Sequence, residues 1–179
     1  MTLEELWRLF PIILSAYDPV WAKYYDEEKA LLGKQFGALL VRISHIGSTA
    51  VEGLIAKPTV DILLEVDPAS SPDEVRQIAE ACGYAVMAES LAPEFRLDLC
   101  KGYTPQGFAE KVFHLHIRHP GDWDEIVFRD YLRRNPRKAD EYAALKMALR
   151  KRFEHDRDAY TEAKGEFIRA CVEAARGRK

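Results

Sequence analysis

A mixed α+β domain, with N-terminal helices, a sheet core and a C-terminal helical layer, is the fold class this sequence predicts. Three observations carry the expectation. Apolar runs at 39–46 and 59–66 read as two strands flanking Gly47-Ser48. Three further strand-like runs follow at 84–88, 95–100 and 111–118. After Pro120-Gly121 the pattern turns helical, over 124–134, 138–154 and 158–177.

From the N-terminus, Thr2 is positioned to cap a short amphipathic helix over 3–10, which Pro11 stops. Asp18-Pro19 opens the next helix, which runs to about Phe36 and ends on Gly37. Trp21, Tyr24, Tyr25 and Leu31 or Leu32 give it an apolar face at helical spacing. The 39–46 strand, the Gly47-Ser48 turn and a short helix over 49–56 then lead to Lys57-Pro58. Pro58 cannot donate to a sheet ladder and so marks a strand start or an edge. Val60 to Val66 is apolar almost throughout, the pattern of a strand covered on both faces. Ser70-Ser71-Pro72-Asp73-Glu74 is a helix start, and the helix turns Val75, Ile78, Ala79 and Cys82 inward before Gly83. Tyr103 to Gly107 joins the last two strands as a hairpin, and Asn135-Pro136 separates the first two C-terminal helices.

At 179 residues the chain reads as one domain over 1–179 with room for a buried core. A formal net charge of -3 excludes a global pull toward nucleic acid or anionic membranes, so any basic surface is local. Cys82, Cys100 and Cys171 lack C-x-x-C spacing and read as reduced thiols without a zinc knuckle. No apolar run approaches the roughly 20 residues of a membrane span. Acids stand at the N-terminus where an export signal carries basic residues, so a cytoplasmic location is expected.

The chemistry gathers at 45–65. Gly47 permits a sharp turn and close approach of a phosphate. Helical residues after it would aim the Ser48 and Thr49 N–H groups at an anion; the alternative is that Ser48 only caps that helix. Asp61, an acid in an apolar run, needs a partner, a metal or an open sheet end. With Mg²⁺ it suits a phosphate cradle; otherwise it accepts hydrogen bonds from Lys57 or His45. Nucleotidyltransferases that pair a Gly-Ser turn with such an acid generally carry a second acid two residues on, where this chain has Leu63. Glu65 shares the face of Asp61 but lies roughly 13 Å away at about 3.3 Å per residue. A second carboxylate must come from another strand, and Asp98 is available.

His114 and His116 alternate onto one face of their strand, and His45 ends a strand beside the turn. With Asp61 these three imidazoles form a transition-metal set, zinc for example, if the strands adjoin. Otherwise one of them hydrogen-bonds Asp61 and the rest pack. Tyr142 with Lys146, Tyr160 with Lys164, and Arg129 with Arg133 are i, i+4 pairs on helix faces. They supply phosphate and base contacts, or else a solvated charged face.

Several ordered blocks resemble the GrpB family. They are Tyr17-Asp-Pro-Val-Trp21, His45-Ile-Gly-Ser-Thr-Ala-Val51, Ala56-Lys-Pro-Thr-Val-Asp-Ile-Leu63, His114-Leu-His116, Phe128-Arg-Asp-Tyr-Leu-Arg133, Glu141-Tyr-Ala-Ala-Leu-Lys146 and Tyr160-Thr-Glu-Ala-Lys-Gly-Glu-Phe-Ile168. Glu52 stands where such members usually have proline, and residues 1–14 fall outside the resemblance as an N-terminal extension. The resemblance implies a nucleotidyltransferase-like fold, and similar domains occur fused to dephospho-CoA kinase.

The first expectation is thus a Mg²⁺-dependent nucleotidyltransferase moving a nucleotidyl group from a nucleoside triphosphate to an unidentified acceptor. Gly47, Ser48, Thr49, Lys57, Arg129, Lys146 and Lys164 would hold the nucleotide, Asp61 the metal, and Asp98 or His116 would serve as second ligand or base. A non-catalytic nucleotide- or phosphate-binding accessory domain is the second. The third is a metal-dependent phosphohydrolase built on Asp61, His45, His114 and His116.

Overall fold

The computed structural model describes residues 2–177. Its helices are α1 (Leu3–Leu9), α2 (Val20–Phe36), α3 (Pro72–Ala81), α4 (Asp124–Arg134), α5 (Pro136–Phe153), α6 (Arg157–Ala163) and α7 (Gly165–Ala175). Its strands are β1 (Leu40–Ile46), β2 (Val60–Val66), β3 (Ala85–Ser90), β4 (Arg96–Thr104) and β5 (Gly107–Arg118).

The strands form one mixed sheet in the order β1-β2-β5-β4-β3. Only the β2–β5 pair is parallel; β1–β2, β4–β5 and β3–β4 are antiparallel. Placing β2 inside the sheet explains its composition, since every residue of the strand except Asp61 is buried. Ile62, Leu64 and Val66 meet Leu97, Leu99, Leu115 and Ile117 in a core closed by Trp21, Leu32 and Phe36 of α2 and Val75 and Ala79 of α3. Each such buried aliphatic side chain contributes about 1.5–3 kcal/mol. A second core joins Val51 and Leu54 to Phe128, Leu132, Tyr142, Cys171 and Val172 of the C-terminal helices. It ties the segment after the Gly-Ser turn to that helical layer.

The ends of α1 and α2 follow the sequence. Thr2 and Glu5 form a reciprocal capping box, and the Asp18 carboxylate accepts the Val20 N–H. Helix α4 matches its expected span, and β4 and β5 continue past theirs to a tight turn pairing Thr104 with Gly107.

Two expected helices take another form. Residues 49–56 are not a helix: a 3-10 turn covers Ser48–Ala50, and the chain then runs irregularly to β2. Tertiary partners satisfy its backbone instead of an intrahelical ladder. Arg133 donates to the Ala50 carbonyl, Lys146 to that of Ile55, and Ala56 pairs with Ser15. The 158–177 helix is divided at Lys164 into α6 and α7; Gly165 opens α7, and glycine weakens a helix interior by about 0.8–1.0 kcal/mol relative to alanine. Cys82, Cys100 and Cys171 are all free thiols. Among the described residues, no helix is long and apolar enough to cross a membrane.

Candidate functional site

Gly47 closes β1 with φ 72° and ψ -173°, a backbone conformation that side chains resist. An added Cβ there would meet Asp61 Oδ2 at 2.7 Å. The turn therefore lies directly against the Asp61 carboxylate, and Ile46 stands opposite Asp61 in the ladder. Lys146 reaches across from α5 and places Nζ 3.0 Å from Ser48 Oγ.

The sheet brings the other acid–base groups to Asp61 through β5. Asp61 Oδ1 lies 3.5 Å from His114 Nδ1 and 3.5 Å from His116 Nε2. The opposite nitrogen, His116 Nδ1, is 2.8 Å from Asp98 Oδ1, and the buried Arg118 donates to the same Asp98 oxygen at 2.7 Å. Burial alone would raise the Asp61 carboxyl, but hydrogen bonds from His114 and His116 hold it well below the usual carboxylate range. Burial likewise opposes charge on His116, and the two flanking carboxylates override it, raising its pKa to about 9. His114 extends the network to the Tyr103 hydroxyl at 2.8 Å, to which Arg157 of α6 donates at 3.1 Å.

Over this floor opens a cavity of about 720 Å³, which Lys57, Lys146, Lys164 and Arg157 line with positive charge. Lys146 is only 2% exposed. None of the three lysines has a carboxylate partner among the described residues. Burial pushes Lys146 down to about 7, helped by Lys164 and Lys57. Burial and neighbouring cations likewise bring Lys164 to about 7 and Lys57 to about 8. Desolvated cations that repel one another are stabilised by an anion.

This arrangement has a pH signature. Between pH 7 and about 10 the unfolded chain keeps its Lys146 proton while the folded chain releases it. The ligand-free protein therefore gains stability as pH rises through that range, by an amount on the order of a few kcal/mol from this side chain. Chemical denaturation at pH 7 and pH 9 measures it. A Lys146→Met variant is expected to show a smaller rise, Lys164 and Lys57 supplying the remainder; equal rises in both proteins would contradict the assignment.

Several expected site residues face elsewhere. His45 pairs with Ile62 in the β1–β2 ladder and so lies on the opposite face from Asp61. It stacks on Tyr25 at 4.7 Å, sits 2.9 Å from Thr49 Oγ1, and is lowered to about 4 by burial. It does not join Asp61, His114 and His116 as a metal ligand. The Thr49 hydroxyl is committed to His45 and the Thr59 carbonyl. Arg129 donates to the His45 carbonyl of β1 and Arg133 to the Ala50 carbonyl, so both brace the backbone around the turn, and neither lines the cavity over Asp61. Tyr103 and Arg157 were not expected in the site. The signal for Arg157 was its spacing of three from Tyr160 and seven from Lys164, one helix face.

The donors present do not fit a resident metal pair. Leu63 holds the second-acid position and is fully buried. Glu65 is occupied by Arg42 and the Gly121 N–H. His116 lies between Asp98 and Asp61. Among the described residues, no group of three or more His, Cys, Asp and Glu side chains is arranged to hold an ion.

The mixed sheet, the Gly-Ser turn and the facing acid define a nucleotidyltransferase-like fold. A structure of the Cid1 poly(U) polymerase superposes with a TM-score of 0.53 at 13% identity, over 90% of this chain and 51% of that one, a likeness of fold alone. The chain belongs to the GrpB family, whose model, described as GrpB protein, matches residues 11–174. The crystal structure of conserved protein GrpB from Enterococcus faecalis superposes with a TM-score of 0.79 at 30% identity, covering 91% of this chain and 96% of that one. UPF0157 protein YqkA of Bacillus subtilis (strain 168) is 31% identical over 97% of this chain, which spans about half of that relative (51%). A dephospho-CoA kinase of Mycolicibacterium paratuberculosis is 28% identical over 92% of this chain, which spans 46% of it.

Proposed function

We propose that the cavity binds a nucleoside triphosphate with its Mg²⁺ and that the chain transfers the nucleotidyl group to a second molecule. The single observation that carries the reading is the group of desolvated lysines gathered opposite Asp61 at the Gly47-Ser48 turn. Gly47 gives the phosphate chain access to the backbone, and Lys57, Lys146 and Lys164 neutralise it. Magnesium is substrate here, arriving on the triphosphate, and its usual shell of phosphates, water and one or two carboxylates can be met by Asp61. In the transfer, an acceptor hydroxyl gives its proton to water as its oxygen bonds to the α-phosphorus, the bond from that phosphorus to the oxygen bridging it to the β-phosphate breaks, and pyrophosphate leaves. Positioning and charge neutralisation supply the catalysis. The Cid1 structure, whose protein is described with Mg 3'-dATP bound, supports a nucleotide in this fold.

Binding without transfer is the second reading, favoured by Leu63 at the position of the second acid. Asp61→Ala tests the first. Without Mg²⁺, removing an acid that repels phosphate is expected to tighten ATP binding severalfold. With Mg²⁺ the variant is expected to bind more weakly than wild type, by about tenfold, and to release no pyrophosphate. Mg²⁺-dependent binding without pyrophosphate release by the wild type, across a panel of acceptors, would select the second reading. Binding indifferent to Asp61 would sink the transferase reading, and no nucleotide binding at all would sink both.

A further inference from the structure

Tyr160 of α6 has no exposed surface, lines the cavity, and has a hydroxyl with no hydrogen-bond partner. Two other buried polar atoms are unpaired among the described residues, Arg76 Nε and Arg118 Nε, but both guanidinium groups bond through another nitrogen. Tyr160 has only the one polar atom. A buried hydroxyl without a partner costs about 1–3 kcal/mol, and nothing in the folded chain offsets this one.

The surroundings indicate what would. Lys164 Nζ lies 4.5 Å and Lys57 Nζ 5.6 Å from the centre of the Tyr160 ring. Burial lifts the phenol to about 12, so near neutral pH it keeps its proton and can donate. A phosphoryl oxygen drawn in by the two ammonium groups would give the hydroxyl the acceptor it lacks. The Leu6, Phe10, Met87 and Tyr103 part of the cavity differs. The Tyr103 hydroxyl is already taken by His114 and Arg157, so these side chains offer surface for stacking and few free groups to read a base edge.

We propose that Tyr160, with Lys57 and Lys164, reads the phosphate chain of the ligand, so that the cavity selects by the number of phosphoryl groups and not by the base. This rests on the nucleotide reading above. A site built to hydrogen-bond a group discriminates strongly against a ligand lacking it, because its buried polar atoms are then left unpaired.

Calorimetric titration of wild type and Tyr160→Phe with ATP, GTP, ADP, AMP and inorganic tripolyphosphate tests it, together with the melting temperature of each ligand-free protein. ATP and GTP are expected to bind within about threefold of each other and tripolyphosphate to displace both, with AMP weaker by roughly tenfold to a hundredfold. Tyr160→Phe is expected to weaken ATP about tenfold and to narrow its advantage over AMP. Its ligand-free melting temperature should equal or exceed that of wild type, because the change removes an unpaired buried hydroxyl. A merely structural tyrosine would move stability down and leave the ATP/AMP ratio alone. Unchanged ATP affinity in the variant, a lowered ligand-free melting temperature, or strong preference between ATP and GTP overturns the proposal while the nucleotide reading stands. Failure of both ATP and tripolyphosphate to bind wild type overturns the nucleotide reading and this one with it.

Discussion

Gly47→Ala is expected to abolish high-affinity triphosphate binding in a protein that still folds. The residue sits at φ 72°, where a side chain costs on the order of 1–3 kcal/mol in backbone strain. The new Cβ would also stand 2.7 Å from Asp61 Oδ2 and 3.2 Å from both Asp61 Cβ and Cγ. The carboxylate oxygen alone could swing aside, but contact with Cβ and Cγ requires the turn or β2 itself to shift. Asp61 is held by His114 and His116, so displacing it also disturbs the network that fixes its charge. The expected result is a loss of ATP affinity of at least about a hundredfold, equivalent to ~2.7 kcal/mol, with an unchanged circular dichroism spectrum. Wild-type affinity in this variant would show that the phosphate chain binds elsewhere in the cavity.

Gly102→Ala is expected to strike the fold that carries the site. Gly102 lies in β4 at the register shift between Lys101 and Tyr103, with φ 95°. A Cβ there would fall 2.2 Å from the Lys111 carbonyl oxygen and 3.0 Å from Val112 Cα, both backbone atoms of β5. Neither can rotate away, so the β4–β5 pairing must open locally. Asp98, Tyr103, His114 and His116 all sit on these two strands. The expected loss is at least about 3 kcal/mol, a fall in melting temperature of roughly 6–12 °C for a domain of this size. A fall of less than about 2 °C would mean that the bulge relaxes without cost.

The local parts of this structure were legible in the sequence, and the long-range parts were less so. Helix α4 follows from Pro120-Gly121 before it and Asn135-Pro136 after it, and β2 from an unbroken apolar run holding one acid. Gly47, Ser48 and Asp61 were placed together because turn and strand are close in sequence. His45 was not placed correctly, because its face depends on the β1–β2 register, where Ile46 and not His45 stands opposite Asp61. Asp98 was expected beside Asp61. Strand order sets β5 between their strands and puts His116 between the two carboxylates. Arg129 and Arg133 do share a helix face, but their targets are backbone carbonyls, that of His45 at the end of β1 and that of Ala50 in the segment whose own helix never forms. Periodicity reports which face a side chain takes on its own element, and says nothing of what the fold sets against that face.

The measurement that tests the central claim most directly is calorimetric titration of the wild type with MgATP at pH 8, in two buffers of different ionisation enthalpy. Lys146 and Lys164, brought to about 7 by burial and neighbouring cations, are largely neutral there in the free protein. A triphosphate seated among them must restore their charge, so binding should take up protons and weaken as pH rises. Binding without proton uptake, or no binding at all, would contradict the claim that these buried lysines hold a triphosphate.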